Sequence, residues 1–252
     1  MKILRTTLFA AFTLSLGVTA AVTSETKPHW TYSGEEGPQR WGDLSAEYAL
    51  CGTGHMQSPV DLGDIDATGL IKLAAIYKPV PLVILNNGHT IQFNTDGAGM
   101  LSEAGVAYDL LQVHFHAPSE HVIKGKHAPL EAHFVHRSAD GALSVIGVFI
   151  VEDAANPALA TLIAHLPSKV TPATAIKGAM IDPNDLLPAS MAMYRYMGSL
   201  TTPPCSEGVN WHVLSTNITA SKEQIEKLSA VLHMNARPVQ PLHERLLVAP
   251  AE

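Results

Sequence analysis

Two short segments place histidines at spacings that suit metal binding. His114 and His116 lie two residues apart in an apolar, strand-like run, and His133 lies in a second such run. Because side chains alternate faces along a strand, His114 and His116 project to one side, and pairing of the two strands would bring His133 beside them. Three neutral imidazoles that leave one tetrahedral position open form the arrangement of a catalytic zinc, whereas a structural zinc site is closed by a fourth ligand and often uses cysteine.

Polar residues two positions before these histidines strengthen the pattern. Gln112 precedes His114 and Glu131 precedes His133, in each case on the same strand face. A metal-bound imidazole normally donates its other N–H to an amide, carboxylate or carbonyl group, so both residues have a suitable type and place. A lone strand histidine is more often an ordinary polar residue, and the metal interpretation therefore depends on the whole set.

A sheet must position these residues. Turn signals separate several short apolar runs, which predicts a largely antiparallel sheet. Asn156-Pro157 begins one predicted helix, and the capping-box pattern of Ser221 and Gln224 begins another. We therefore predict an α+β fold, with a single domain built on a large twisted, mainly antiparallel sheet of about ten strands and short peripheral helices. The strand-like runs are 82–85, 90–93, 110–115, 132–136, 144–151 and 209–215.

The composition narrows the class of protein. The chain has 252 residues, of which 46% are apolar and 15% charged, and its formal net charge is −7. Such a chain can bury a core large enough to fold as one domain, and the sequence has no internal repeat or linker that would divide it. The acidic balance argues against a nucleic acid or an anionic membrane as partner. The 13 histidines indicate metal or proton chemistry instead.

The N-terminal residues have the pattern of a secretory signal peptide. A basic start is followed by an apolar stretch from Leu8 to Val18 and by the small-residue cleavage pattern Val18-Thr19-Ala20. The stretch is too short to span a bilayer, and a buried N-terminal helix is the alternative. We predict that residues 1–20 are removed, that residues 21–252 form the mature domain, and that the protein is exported to the periplasm or secreted.

Export changes the interpretation of the two cysteines. In an oxidising compartment Cys51 and Cys205 are the only possible pair. A bridge would close a loop of about 150 residues. By its effect on the entropy of the unfolded chain, it would stabilise the protein by about 5 kcal/mol at most. Two free buried thiols are the alternative.

Taken with their surroundings, these residues resemble the α-class carbonic anhydrases. The matching motifs occur in the order that the family has, over most of the chain. Ala117-Pro118 after the histidine pair, the short loop before Glu131 and the two cysteines are similar to the bacterial secreted branch. The matching segments are His29-Trp30-x-Tyr32, Gly37-Pro38 with Trp41, Gln57 to Asp61, Asn86 to His89, Gln112 to His116, Ser119-Glu120-His121, Glu131-Ala132-His133, Gly198 to Pro204 and Arg237 to Pro241.

The resemblance implies a zinc enzyme. His114, His116 and His133 would hold Zn²⁺, with Gln112 and Glu131 as hydrogen-bond partners of two of them. Zinc-bound hydroxide would then attack CO2 and give bicarbonate and a proton, reversibly. The expected small-molecule partners are therefore CO2 and bicarbonate. Neither a nucleic acid nor a membrane is expected, and related bacterial enzymes suggest a possible homodimer.

The resemblance also implies roles for residues around the metal. Glu120 would accept the hydroxyl proton of Thr201, which would orient the hydroxide, while His121 and Tyr196 would support this network. His89 would shuttle protons, since an imidazole with a pKa near 6.5 suits transfer at neutral pH. The apolar substrate pocket would contain Val135, Val145, Leu200, Val209 and Trp211, with Thr202 as a possible bicarbonate contact, and Tyr32, Asn87 and Gln92 would order the waters of the proton path.

The resemblance implies two further features of the backbone. Ser58-Pro59 and Pro203-Pro204 are expected to be cis, and a bridge between Cys51 and Cys205 would anchor the loop that carries Thr201.

Two other functions compete with this interpretation. His114, His116 and Glu120 also fit the His-x-His-x3-Glu motif of cupin-type iron or manganese oxygenases, although Tyr108 stands where that motif has glycine. A zinc-storage protein or a catalytically silent binding module is the non-enzymatic alternative. Metal analysis would distinguish an iron or manganese oxygenase from a zinc enzyme. A measurement of CO2 hydration would distinguish a silent binding module from an active enzyme.

Overall fold

The computed structural model describes residues 28–63, 65, 67–69 and 73–250. The predicted signal peptide, residues 1–20, lies outside the described residues. None of the helices in the described part has the length and apolar character that crossing a membrane requires.

The helices are short, and their starts follow the predicted capping residues. The side chain of Asn156 accepts the N–H of Leu159, and Ser221 and Gln224 form the reciprocal capping box, so both predicted helices are confirmed. The α-helices are α1 (Trp41–Leu44), α2 (Leu50–Thr53), α3 (Pro157–Ile163) and α4 (Lys222–Leu232), and short 3-10 turns cover Gly34–Glu36, Ala46–Tyr48 and Pro183–Leu186.

Strands make up most of the regular structure, and each of the six predicted runs coincides with one. The ends agree to within two residues, except that the strand around the run 110–115 begins four residues earlier, at Val106. The strands are β1 (Ala67–Gly69), β2 (Leu73–Tyr77), β3 (Val80–Asn86), β4 (Ile91–Asn94), β5 (Gly99–Glu103), β6 (Val106–His116), β7 (Val122–Ile123), β8 (Lys126–His127), β9 (Leu130–Ser138), β10 (Leu143–Glu152), β11 (Thr171–Ile181), β12 (Met193–Ser199), β13 (Glu207–Leu214), β14 (Ile218–Ala220) and β15 (Val248–Pro250).

In the described residues, thirteen of these strands form one sheet and β7 pairs with β8 separately. The main path runs β1-β15-β12-β13-β10-β9-β6-β4-β3-β11, with β14 beside β10, and β5 pairs with both β6 and β2. Three pairings are parallel: β1 with β15, β10 with β13 and β10 with β14. The other pairings of this sheet are antiparallel, so the sheet is mainly but not strictly antiparallel, and with thirteen strands it is larger than the ten or so predicted.

The two faces of the sheet have different surroundings because side chains alternate along each strand. One face packs against α3 and α4 and forms the larger apolar core, which includes Val113, Phe115 and Phe134. The alternate residues His114, His116 and His133 lie on the other face. That face also carries a second apolar cluster around Trp211.

The pairing of β6 with β9 confirms the expected juxtaposition of the histidine strands. His114 lies directly opposite His133, and on the far side of β6 Gln92 of β4 lies opposite His114. Directly opposed residues of antiparallel strands have Cβ atoms about 4.5–5.5 Å apart, so this register brings the imidazoles together.

The disulfide and both expected cis bonds are present. Cys51 and Cys205 are bonded, with their Cα atoms 5.1 Å apart. Ser58-Pro59 and Pro203-Pro204 are cis, and Ala117-Pro118 is a third cis bond that the sequence interpretation missed. The disulfide lies with Trp41 and Tyr48 in a small buried cluster beside the sheet.

Candidate metal centre

Three imidazoles converge on the histidine face of the sheet. His114, His116 and His133 each offer one ring nitrogen, and these atoms lie within 4.8 Å of one another. His116 and His133 are each 1% exposed, so the cluster is closed to solvent on most sides. This is a set of three nitrogen donors of the kind that a catalytic zinc uses.

The second nitrogen of each ring faces a different polar group. Nδ1 of His114 donates to Oε1 of Gln112 at 2.9 Å, and Nδ1 of His116 donates to the carbonyl of Asn235 at 2.9 Å. Nε2 of His133 lies 3.0 Å from Oε1 of Glu131, at an angle outside that of an ordinary hydrogen bond, and we regard it as a charge contact. These contacts leave Nε2 of His114, Nε2 of His116 and Nδ1 of His133 free to bind a metal.

Glu131 is fully buried and its carboxylate is surrounded by donors. Oε2 accepts the backbone N–H groups of Glu120 and His121 at 2.8 and 2.9 Å, and Oε1 accepts Nδ1 of His121 at 2.8 Å. Burial alone would raise the pKa of Glu131, but His121 and His133 hold it well below its ordinary value. The group is therefore a fixed carboxylate at neutral pH.

Burial also selects the metal-binding form of the histidines. It lowers the pKa of His114 well below the ordinary value, and the adjacent His116 and His133 lower it further. The pKa of His116 is lowered as well, with burial as the largest cause. Both rings are neutral at pH 7, which is the state in which imidazole ligates a metal.

A chain of hydrogen bonds extends from Glu131 into the protein. Nε2 of His121 is hydrogen-bonded to the hydroxyl of Tyr196 at 2.7 Å, and that hydroxyl donates to Oγ of Ser58 at 2.8 Å. His121, Glu131 and His133 also lie close enough to share an ion. However, the nitrogen and oxygen atoms that could bind it already contact one another. We therefore assign them to the support of the three-histidine cluster.

Glu120 faces the cluster with one oxygen. Its Oε1 accepts the backbone N–H of Arg237 at 2.9 Å. Its Oε2 lies 3.5 Å from Nε2 of His116 and 3.9 Å from Nδ1 of His133. Thr201 is buried, but no hydrogen bond joins it to Glu120 among the described residues, so the expected contact between them stays a prediction.

Arg237 connects Glu120 to the disulfide region. Its guanidinium donates to Oε1 of Gln57 at 2.9 Å, to the carbonyl of Ser58 at 2.8 Å and to the carbonyl of Cys51 at 3.0 Å. Burial lowers the pKa of Arg237 to about 10, so the side chain is charged at neutral pH. The segments that carry Cys51 and Glu120 are thus held by one residue, the first through the guanidinium of Arg237 and the second through its backbone N–H.

The predicted pocket residues form a continuous apolar wall. Val135, Val145 and Trp211 are opposite one another on β9, β10 and β13. The rings of Trp211 and His133 are 4.9 Å apart, so the wall adjoins the cluster. Leu200 and Val209 belong to the same apolar cluster, while Thr202 follows Thr201 in the loop before Cys205.

The predicted proton-path residues lie on a more open edge. His89 is in the turn between β3 and β4, where Oδ1 of Asn87 accepts its backbone N–H at 2.9 Å. The ring stacks on Trp30 at a centroid distance of 3.7 Å and lies 6.4 Å from the ring of Tyr32. Burial, and then His29, lower the pKa of His89 below its ordinary value. Nε2 of Gln92 donates to Asn94 at 2.8 Å.

Sequence reasoning missed three contacts in this region. The acceptor for His116 is a backbone carbonyl, which a sequence pattern does not identify. The stack of Trp30 on His89 and the link from Arg237 to Glu120 join segments distant in sequence. For these residues the only signal was their place in the family-like motifs.

The fold and this site together define a β-sheet protein with a buried three-histidine centre. Residues 36–250 match the family described as eukaryotic-type carbonic anhydrase. A carbonic anhydrase of Pectobacterium carotovorum is 43% identical over 236 residues, covering 93% of this chain and 96% of that protein. The solved structure of the alpha-carbonic anhydrase from Thermovibrio ammonificans with the inhibitor sulfanilamide has a TM-score of 0.84 and 43% identity, covering 88% of this chain and 100% of that one.

The chain therefore belongs to the eukaryotic-type, or alpha, carbonic anhydrase family and is an enzyme of that class. Its substrates are CO2 and bicarbonate.

Proposed function

We propose that the chain catalyses reversible CO2 hydration with Zn²⁺ held by His114, His116 and His133. The observation that carries the proposal is the convergence of three ring nitrogens within 4.8 Å in a largely buried site. When bound, zinc supplies an activated water with a pKa of about 7, a value known from carbonic anhydrase itself.

The residues present fit such an ion. Nε2 of His116 and Oε2 of Glu120 are buried and have no hydrogen-bond partner in the described part of the chain. Buried polar groups of this kind are costly unless something pairs with them. A cation on the three nitrogens, with a water on its open side, would satisfy both atoms.

Glu120 and Thr201 orient the attacking water in this proposal. The backbone N–H of Arg237 holds one oxygen of Glu120, which leaves the other facing the histidines. In this proposal the hydroxyl of Thr201 donates to that oxygen and accepts from the water. His121 and Tyr196 hold Glu131 in place, and Glu131 in turn orients His133.

The apolar wall receives CO2. CO2 has no net dipole, so it gains from contact with Val135, Val145 and Trp211 without an unpaired polar group being buried. Leu200 and Val209 extend the wall, and Thr202 offers the product bicarbonate a hydroxyl.

His89 carries the proton away from the site. An imidazole of pKa below 6.5 releases protons readily at neutral pH, and the half-buried position gives it access to buffer. Tyr32, Asn87 and Gln92 line the route and order its waters. The register of Gln92 with His114 supports a route that begins beside the histidine cluster.

The rival cupin-type oxygenase loses its basis, because the chain belongs to another family and forms one large mixed sheet. The decisive experiment is stopped-flow CO2 hydration, with metal analysis, on the intact protein and on His133→Ala. We expect one bound zinc and rapid hydration in the first, and loss of both in the second. Hydration at the rate of buffer alone by the zinc-loaded intact protein would favour a binding module.

Export of the protein is supported by the disulfide, since such bonds persist mainly in oxidising compartments. We infer that residues 1–20 direct export to an oxidising compartment, either the periplasm or the cell exterior, and are then removed. N-terminal sequencing of protein recovered from that compartment tests this, and a chain that still begins at Met1 would contradict it.

A further inference from the structure

A second pair of histidines lies at the surface, outside the three-histidine cluster. His55 follows α2 and His243 lies in the loop before β15, so the fold joins two segments distant in sequence. Their ring centroids are 5.2 Å apart, with the planes tilted by 51°. Both are exposed, and neither side chain makes a hydrogen bond within the described part of the chain. They line a pocket of about 440 Å³.

The spacing of the two rings suits a shared metal ion. With metal–nitrogen distances of about 2.0–2.1 Å and a ring centre about 1.2 Å beyond each nitrogen, two imidazoles on a tetrahedral ion have centroids about 5.3 Å apart. Two neighbouring imidazoles on a square-planar ion such as Cu²⁺ have centroids about 4.6 Å apart, so a modest ring movement suits either geometry. The three-histidine cluster shows the same range. Its centroid separations are 5.0 Å for His114 and His116, 5.2 Å for His114 and His133, and 4.5 Å for His116 and His133.

Further donors and the local charge are compatible with a cation. Met56 and Glu244 line the same pocket and offer a thioether and a carboxylate. Arg245 also lines it, but its guanidinium donates to three backbone carbonyls at 2.7–3.0 Å and lies over the ring of Tyr196. The positive charge of Arg245 is therefore fixed by contacts with the protein itself. Oε1 of Glu207 accepts the backbone N–H of Met56 at 2.7 Å, which places another carboxylate nearby.

We propose that His55 and His243 form a second metal site, which binds a divalent transition-metal ion with imidazole nitrogen. Among such ions Cu²⁺ binds nitrogen ligands most tightly, and Zn²⁺ and Ni²⁺ follow. Glu244, Met56 and water supply the remaining donors. The proposal depends only on this surface pair and is independent of the chemistry at the three-histidine cluster.

The test is equilibrium dialysis of the full-length, zinc-loaded protein against Cu²⁺ at neutral pH, with metal analysis and electron paramagnetic resonance. We expect about one equivalent of copper in addition to the zinc, with hyperfine structure from nitrogen ligands. His55→Gln and His243→Gln should each weaken this binding at least about tenfold, as the loss of even an outer partner of a metal typically does. The control His233→Gln changes another exposed histidine and should retain the copper.

Because imidazole must be neutral to ligate, acidification should release the copper. CO2 hydration by the zinc form should be unchanged in all three variants, which shows that they are folded. The proposal is overturned if no copper binds beyond the zinc, if copper enters only by displacing zinc, or if both pair variants retain it. Zinc content and hydration rate report on the proposed function separately.

Discussion

His133 and His89 are both assigned to one reaction, but the protein holds them in different ways. His133 lies in the middle of β9, opposite His114 and 1% exposed, with a charged carboxylate against its second nitrogen. His89 lies in the turn between β3 and β4, half-buried, and its ring is held by one stacking contact with Trp30. A metal ligand must keep its position, whereas a proton carrier must reach solvent.

Asn235 contacts both regions. Its carbonyl accepts Nδ1 of His116, and its side-chain amide donates to the carbonyl of His89 at 3.0 Å. The backbone of the shuttle turn is thus tied to the metal cluster, and only the ring of His89 is free to adjust. His89 therefore combines a fixed backbone with a side chain that can adjust.

The disulfide supports both regions, so its loss should have the largest effect. Cys51 and Cys205 are 154 residues apart, and closing such a loop stabilises a protein by at most about 5 kcal/mol. We expect the double variant Cys51→Ser/Cys205→Ser to unfold at a much lower urea concentration. Its kcat should also fall, because Cys205 follows the Thr201 loop and the carbonyl of Cys51 accepts from Arg237.

Chemical reduction of the unchanged protein is the matched control and should reproduce both effects. Equal urea midpoints for the oxidised and reduced forms would show that the bridge contributes little. Two free thiols in mass spectrometry of the native protein would remove the basis of the prediction.

A rigid metal support predicts that a single added methyl group will weaken the site. Gly147 lies opposite His133, and a Cβ there would be 2.8 Å from Oε1 of Glu131. Glu131 cannot move away without breaking its hydrogen bonds to His121. We expect Gly147→Ala to weaken zinc binding by about 10–100-fold, the usual cost of disturbing an outer partner of a metal. Competition with a chelator measures the affinity.

Gly52→Ala is the control for this variant, since the nearest atom to its added methyl would be 3.7 Å away. It should bind zinc as the unchanged protein does. Equal affinities for both variants would mean that the carboxylate adjusts freely and that the metal support is less rigid than its contacts indicate.

The rigid region was also the more predictable one. Alternation along β6 and β9 was enough to place His114, His116 and His133 together, with Gln112 and Glu131 beside two of them, and capping residues located α3 and α4. The parallel pairing of β10 with β13 was missed because it joins segments that no local turn connects. The carbonyl partner of His116 was missed because every residue has a carbonyl group.

Removal of the shuttle imidazole should affect rate but not metal binding. We expect His89→Ala to retain its zinc and to lose at least about tenfold in turnover in weak buffer, since the variant lacks the imidazole that transfers the proton. Added imidazole should restore the rate. Stopped-flow measurements of CO2 hydration in weak and in strong buffer test this. If the variant and the unchanged protein have equal rates in each buffer, His89 has no shuttle role.

Loss of the stacking partner should give the smallest effect. An aromatic pair contributes about 0.5–1.5 kcal/mol beyond the area that it buries, so Trp30→Leu should lower turnover in weak buffer by a few-fold only. Because burial is the main cause of the lowered pKa of His89, exposure of the ring should raise that pKa toward its ordinary value of 6.5. Trp30→Phe retains an aromatic ring and should change both quantities less. An NMR titration of His89 in the three proteins distinguishes a positioning role of Trp30 from a purely structural one. If Trp30→Leu lowers only the stability of the protein, and the pKa of His89 and the turnover are unchanged, Trp30 does not position the shuttle.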